Sequence, residues 1–531
     1  MMAESLSWQR GSRPGLARFG REPGRAYSRP VPPGPGAHRA ILVSTVSVLA
    51  GGGAALAASL GLRVLMARAL PPEALGLVLL AIAVVTPIGS IAALGTNAAL
   101  AQRVAERRAR GDEDRARAVA RRGELIAAGS GAVASALLAA LALPLALLLG
   151  QPGLDRVLLP IAPVALGLAV GVAALGVARG FGDSAGRALV RDAGGGFLRI
   201  LGVGAVLLAG SPTPFGIAAG FAAGSLSAEL LFVGYVAFKG WLSPVSPVLD
   251  EPLLPSLRPY AATEVLAQSS LWLDIVVLGA LAPPAVVGLY GVARGLTRIL
   301  GLVPQASAHG YLPAAAAAWA KGEGERLPAL HVATRRFAFA LVWPVLSVCL
   351  LAPAPLLHLL FGAAYEAAAP ALRLLALASF VASFFDFLDL LLIAERRPGD
   401  VLKAGLGGAV ALLLLLAALV PRFSGEGAAA ALLGASLLRG LLLHRSVFRS
   451  RSFRPFLAGM TGPAFLGVGS LAVGTLGLLL LRPGPFAALL LAAGTGAAAS
   501  AVSLRAFLRH REPGSAAGPP DDPPGPEIAA V

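Results

Sequence analysis

Apolar residues run along this chain in long stretches, and charged residues gather in the short segments between them. A bilayer core requires about 20 consecutive apolar residues per helix. Fourteen stretches meet that need, at 41–66, 77–100, 124–149, 158–180, 195–211, 214–238, 259–281, 285–308, 337–361, 369–394, 402–420, 426–443, 456–481 and 485–508. The pairs at 195–238 and 402–443 are the least cleanly separated. The pattern predicts an all-α polytopic membrane protein of about 14 transmembrane helices.

Composition agrees. The 531 residues are 56% hydrophobic and 14% charged, whereas soluble domains run about 45 to 50% apolar and about 25% charged. Soluble globular, disordered, collagenous and coiled-coil classes are excluded. Cys349 is the single cysteine, so there is no internal disulfide, no cysteine zinc site and no redox pair; no metal site is expected. The net charge of +16 would suggest nucleic acid only if the basic residues shared one soluble face. They lie between apolar runs instead, and nucleic acid is not an expected partner. Only Arg68, Arg156, Arg422 and Arg482 fall in odd-numbered loops, while the tails and even-numbered loops hold most of the other basic residues. Positively charged loops resist translocation, so both termini are expected in the cytoplasm. Residues 1–40 read as a disordered basic arm, an orientation signal or a segment lying against anionic headgroups, with no cleavable signal peptide. Residues 509–531 read as a disordered cytoplasmic tail.

The chain is internally repeated. A shift of 212 aligns Pro71, Pro72, Gly76, Leu77 and Ala81 with Pro283, Pro284, Gly288, Leu289 and Ala293. A shift of 211 aligns Arg110, Gly111, Asp112, Asp114 and Arg115 with Lys321, Gly322, Glu323, Glu325 and Arg326, and a shift of 217 aligns Gly182 and Asp183 with Gly399 and Asp400. Six crossings separate the copies, so both halves enter the membrane in the same direction. This predicts two parallel six-helix lobes, 41–240 and 241–445, related by an axis along the membrane normal, plus two C-terminal helices in 446–508. A cleft between lobes is the usual place for a transporter's path, although duplication alone does not establish transport.

Charged side chains at mid-span cost about 2.5 to 3.5 kcal/mol each on insertion scales, and those retained face a wet cavity or a partner. On the eighth span Tyr290, Arg294, Thr297, Arg298 and Gln305 form a polar stripe expected to line the inter-lobe cavity. Arg294 and Arg298 lie roughly 13 to 20 Å below the outer end, near the midplane. Two guanidiniums four residues apart make a fork suited to pyrophosphate; alternatively one of them pairs with Asp274 on the preceding helix and the other stays available. Asp274, Asp386, Asp389 and Glu264 are candidates for proton or sodium coupling or for ion pairing. Arg63 is a candidate cavity-rim cation. Arg199, Arg373, Arg439 and Arg505 lie near a membrane surface, are expected to snorkel, and receive no role.

These residues resemble the polysaccharide flippases of the multidrug, oligosaccharidyl-lipid and polysaccharide exporter superfamily. Met66 to Gly76 looks like that family's first loop, Ala-Arg-x-Leu-Gly-Pro-Glu-x-Phe/Tyr-Gly, with Pro71 in place of the glycine and Leu75 in place of the aromatic residue; Leu94-Gly95 and Arg103 to Glu106 follow. Asp274 with Leu278-Gly279, Val287 to Tyr290, Leu312-Pro313 and Phe361 to Tyr365 look like its second-half pattern. The resemblance spans roughly residues 41 to 445. It implies a two-lobed fold that alternates access to a cationic cavity and moves undecaprenyl-diphosphate-linked oligosaccharide to the outer leaflet of the bacterial inner membrane, for cell-surface polysaccharide biosynthesis. By the same resemblance Arg294 and Arg298 would hold the pyrophosphate. A proton or sodium gradient, with Asp274 the leading carboxylate, would replace any bound cofactor, and other polysaccharide-assembly membrane proteins would be partners alongside membrane lipid. A lipid II-type flippase needs the same phosphate chemistry. A drug exporter of organic cations fits less well, because paired arginines repel such cargo. An enzyme is not expected, since outer connections are short and no Gly-Lys pair provides a P-loop.

Overall fold

A computed structural model describes residues 35–183, 186–210, 212–244, 254–448 and 454–509. Among these residues the secondary structure is helical throughout. The N-terminal half runs α1 (Pro35–Ala69), α2 (Pro72–Ala92), α3 (Thr96–Ala109), α4 (Glu113–Ala140), α5 (Ala142–Leu148), α6 (Leu154–Ile161), α7 (Val164–Gly180), α8 (Gly195–Leu208) and α9 (Pro214–Phe238). The C-terminal half runs α10 (Leu254–Leu281), α11 (Pro284–Ala320), α12 (Leu327–Leu351), α13 (Pro353–Phe361), α14 (Ala369–Ala394) and α15 (Pro398–Phe448), followed by α16 (Arg454–Leu481) and α17 (Pro485–Arg509).

Among the described residues nine helical segments are individually long and apolar enough to cross a bilayer, ten with the bent α10. The long α15 turns back at Ser424 (φ 49°, ψ −125°), which sets Gly407 against Leu442, Gly408 against Arg439 and Gly434 against Leu415. It therefore makes two antiparallel passes, and with α1, α8 and α16 counted the described helices provide about fourteen crossings. Large apolar side chains stand exposed along the middle of the helices, among them Val133 at 59% exposure, Leu414 at 66% and Phe465 at 78%. Such a surface is unsuited to water and suited to lipid; this is a multi-pass membrane protein.

Several element limits differ from the sequence reading, each for a local reason. The first helix already begins at Pro35, so residues 35–40 of the expected arm are helical, while 1–34 and 510–531 lie outside the described residues. The ninth span ends at Leu351 because Ala352 leaves helical geometry (φ −129°, ψ 49°) and Pro353 starts a new helix. The eighth continues to Ala320 through Pro304 and Pro313.

The repeat is visible in the packing. Pro71 and Pro283 are extended caps that lead into Pro72 and Pro284 as first residues of α2 and α11, where a missing N–H costs nothing. Near these starts the two helices cross reciprocally. A Cβ on Gly76 would lie 1.8 Å from the Pro284 carbonyl oxygen, and one on Gly288 would lie 2.0 Å from that of Pro72. Equivalent residues of the two copies thus meet each other's partners across a pseudo-twofold axis. The same symmetry governs the helix ends beside them. Tyr365 Oη donates to the Leu70 carbonyl at 2.8 Å, while Gln151 Nε2 donates to the Ala282 and Gly279 carbonyls at 2.9 and 2.7 Å. Leu70 and Ala282 are 212 positions apart. Each lobe therefore caps the other at the end poor in basic residues, called the outer end below.

Because the glycine contact is backbone on backbone, even one methyl group must force α2 and α11 apart. Gly288→Ala is expected to lower the thermal midpoint in detergent and to reduce the folded yield, with an overpacking cost of about 1 to 3 kcal/mol or more. Gly204→Ala, where a Cβ meets nothing within 4 Å, should leave the midpoint unchanged or raise it slightly. Equal behaviour of the two variants in a fluorescence-detected melting experiment would contradict this role for the crossing.

Candidate functional site

Inward of the crossing lies a cavity of about 360 Å³ lined by α1, α2, α7, the segment before α8, α8 itself and α9, and closed from the C-terminal half by Trp272 and Arg298. Its charged lining comprises Arg63, Arg191, Arg199 and Arg298 against Asp192 and Glu229, an excess of positive charge at mid-membrane depth. Arg298 lies 14 residues into α11, roughly 21 Å along the helix.

Two of the four arginines are held by a carboxylate buried against α7 glycines. Glu229 on α9 is 2% exposed and accepts from Arg199 Nη2 at 3.1 Å and Arg191 Nε at 3.3 Å. A Cβ on Gly171 would lie 1.8 Å from Glu229 Oε2, so a glycine on α7 makes the room for that carboxylate. The helix just before α8 is wound as a π-helix over Arg187–Gly194, a form concentrated at functional positions. It presents consecutive Arg191 and Asp192 to one cavity. Asp192 also pairs with Arg187 at 3.5 Å.

The predicted stripe on α11 divides between packing and cavity. Asp274 is fully buried; its Oδ2 accepts from Arg294 Nε at 2.9 Å and Tyr290 Oη at 2.7 Å, and its Oδ1 from the Ile275 amide at 2.9 Å. Tyr290 and Thr297 are each 1% exposed, and Thr297 Oγ1 donates to the Arg294 carbonyl. Of the five residues in the stripe, Arg298 reaches the cavity lining, where its guanidinium lies 5.2 Å from the Trp272 ring centroid, a cation–π distance. Tyr290 is therefore not a cavity group, since it is buried against Asp274, and Gln305 is exposed and does not line this cavity. Helical phase places residues on one face of α11 but does not say which part of that face α10 covers.

Arg63 lines the cavity, donating from Nη1 to the Gly291 carbonyl at 2.9 Å; a Cβ on Gly295 would lie 2.5 Å from its Cδ. The remaining carboxylates lie elsewhere. Asp386 and Asp389 on α14 both pair with Arg439 of α15, so Arg439 is an intramembrane partner rather than a snorkelling residue. Arg199, also expected to snorkel, turns inward to Glu229. Glu264 accepts from Gln268 of its own helix at 2.7 Å. Sequence reasoning missed Arg191, Asp192, Glu229 and Trp272. Glu229 was detectable, since an acid inside the apolar run 214–238 requires a buried partner.

The fold resembles solved transporter structures. The lipid II flippase MurJ in an inward closed conformation superposes with a TM-score of 0.68 at 14% identity, covering 88% of this chain and 99% of MurJ. An inward-facing multidrug resistance MATE family transporter of the MOP superfamily gives 0.63 at 16%, covering 76% and 93%. A MOP superfamily transporter from Pyrococcus furiosus, reported for the reverse polarity of its binding pocket, gives 0.56 at 16%, covering 80% and 95%. No curated protein sequence matches the chain. Two parallel lobes around a midplane cavity define a multi-pass membrane protein with the MOP superfamily fold. Residues 41–309 match the model of the polysaccharide biosynthesis protein family, and the chain belongs to that family.

Removing one member of a buried ion pair strands the other. Asp274→Ala is expected to destabilise the protein by about 3 to 5 kcal/mol, because Arg294 and Tyr290 both lose their acceptor. The double variant Asp274→Ala/Arg294→Met should regain most of the lost thermal midpoint. Failure of the second substitution to restore stability would show that the pair does not act as a unit.

Proposed function

We propose that this protein flips undecaprenyl-diphosphate-linked oligosaccharide from the inner to the outer leaflet of a bacterial cytoplasmic membrane, for cell-surface polysaccharide biosynthesis, by alternating access. The observation that carries this reading is the cationic midplane cavity, where Arg298 has no carboxylate partner among the described residues. Arg63 and Arg298 bind the pyrophosphate, since guanidinium offers planar bidentate donors and remains charged when desolvated. The sugars pass through the wet cavity while the polyprenyl tail stays in lipid. Membership in the polysaccharide biosynthesis family supports this cargo. The structural likeness to a lipid II flippase supports a lipid-linked one more generally.

In this reading Arg294 is the reserve cation. A proton or sodium ion taken up at Asp274 frees Arg294 for the phosphate, and release of that ion on the other side returns it to Asp274. Both termini lie in the cytoplasm, as the distribution of basic loops supports, and partners include other membrane proteins of polysaccharide assembly. The residues described here serve binding and positioning rather than bond-breaking.

The test is depletion of the protein in its native cell, followed by analysis of extracted lipids. A complete, unpolymerised lipid-linked unit is expected to accumulate on the cytoplasmic leaflet, and absence of any stranded unit with intact surface glycan would overturn the assignment. Arg298→Ala should reduce flipping at least tenfold, a loss of about 1.4 kcal/mol or more in transition-state terms, with the protein still present in the membrane. Full complementation by that variant would remove Arg298 from the site.

A further inference from the structure

A second cationic position lies in the C-terminal lobe, away from the central cavity. Arg335 on α12 is 7% exposed. Its Nη1 contacts His331 Nε2 at 3.3 Å, and its guanidinium carbon sits 3.4 Å from the centroid of the Phe384 ring. The remaining donors, Nε and Nη2, are buried without a hydrogen-bond partner. Among the described residues no carboxylate pairs with it. His331 supplies no negative charge: its Nε2 faces Arg335 and its Nδ1 lies 3.3 Å from Tyr311 Oη. A buried charge without a counter-charge is among the costliest arrangements in a protein interior, and a ring face compensates only part of it.

Beside Arg335 is a small pocket of about 30 Å³ between α11, α12 and α14, lined by Pro304, Ser383 and a group of phenylalanines that includes Phe380, Phe384 and Phe387. A single water needs about 10 to 15 Å³ on such a measure. The pocket therefore admits one small ion and excludes a phosphate ester with its substituents. Aromatic ring edges carry positive partial charge, which suits an anion. We infer that Arg335, Ser383 and the surrounding phenylalanines form a site for a single small monovalent anion of the halide class, which neutralises Arg335 within the C-terminal lobe. The anion accepts from Nε and Nη2 as the guanidinium lifts from Phe384. None of these residues lines the central cavity, so the inference stands apart from the proposed cargo.

The full-length protein in detergent tests this with sodium chloride, sodium bromide and sodium gluconate at equal ionic strength. The wild type is expected to melt ~2 °C higher in chloride or bromide than in gluconate. Arg335→Met should abolish that difference without lowering the midpoint in gluconate, because a well-packed apolar side chain replaces a buried ion at little cost. Arg298→Ala should retain it. If the Arg335 variant does not fold, the wild type answers alone: crystals grown in bromide should show an anomalous peak within contact distance of the Arg335 guanidinium. An unchanged wild-type midpoint between chloride and gluconate, no bromide peak at Arg335, or a halide effect lost in Arg298→Ala and kept in Arg335→Met would each overturn the site. The last result would assign the anion to the central cavity.

Discussion

The crossing of α2 and α11, in which the Pro72 carbonyl lies against Gly288 and the Pro284 carbonyl against Gly76, is the contact on which the two-lobed arrangement rests. A duplicated sequence guarantees two similar lobes but not a defined relation between them. That relation requires a self-complementary surface, and a surface meets its own copy only across a twofold axis. Absence of a side chain at both glycines lets the backbones touch, which is how helices associate closely where lipid removes the hydrophobic drive. Once α2 and α11 are fixed near their outer ends, Leu70 and Ala282 fall within reach of Tyr365 and Gln151. The cavity residues on these two helices, Leu79, Ile82, Thr86 and Arg298, all lie inward of the crossing.

Symmetry of the frame makes asymmetry of charge informative. At a shift of 212 the counterparts of Arg294 and Arg298 are Ile82 and Thr86, and the counterpart of Asp274 is Leu62. Those three N-terminal positions all line the cavity. The N-terminal lobe presents neutral side chains where the C-terminal lobe carries a guanidinium pair and its carboxylate, and it places its own cations on α1, the π-helical segment and α8. Backbone geometry has thus been kept while the charge has been redistributed. In a duplicated protein such divergence is expected at the site and not in the scaffold, because packing constrains both copies alike whereas a ligand is not itself twofold symmetric.

What was legible in the sequence follows the range of each interaction. Crossings depend on runs of about 20 apolar residues and were read directly. The repeat was read from Pro72, Gly76 and their copies, which turned out to be the contact itself. The pairing of Arg294 with Asp274 was one of two open alternatives, since adjacent antiparallel helices bring equal depths together. The Arg191, Arg199 and Glu229 group was not found. Its members come from separate helices whose rotations no periodicity fixes, and the π-helical turn before α8 shifts their phase again. Arg335 escaped notice because the expected ninth span began at residue 337, past the buried guanidinium.

The outer end shows why so close an association can still open. The contacts that bind the lobes there are the glycine crossing and a small set of hydrogen bonds: two from Gln151, one from Tyr365 and two from Arg68 to the Leu359 and Leu360 carbonyls. A neutral intramolecular hydrogen bond contributes about 0.5 to 1.5 kcal/mol net and one from a charged group about 1.5 to 3, so three from Gln151 and Tyr365 and two from Arg68 amount to several kcal/mol. The acceptors are helix-end carbonyls, the groups most easily re-satisfied by water when the lobes part. Moving one elementary charge through 100 mV supplies about 2.3 kcal/mol. The outer closure is therefore of the same order as the work that one or a few cations would supply in the proposed cycle. A buried carboxylate partner for Arg68 in place of these carbonyl acceptors would hold one state too firmly for the proposed cycle to be driven by so small a step. The buried carboxylate–guanidinium pair lies deeper, at Asp274 and Arg294, and in the proposed cycle exchange of a single ion there would alter what the cavity can bind.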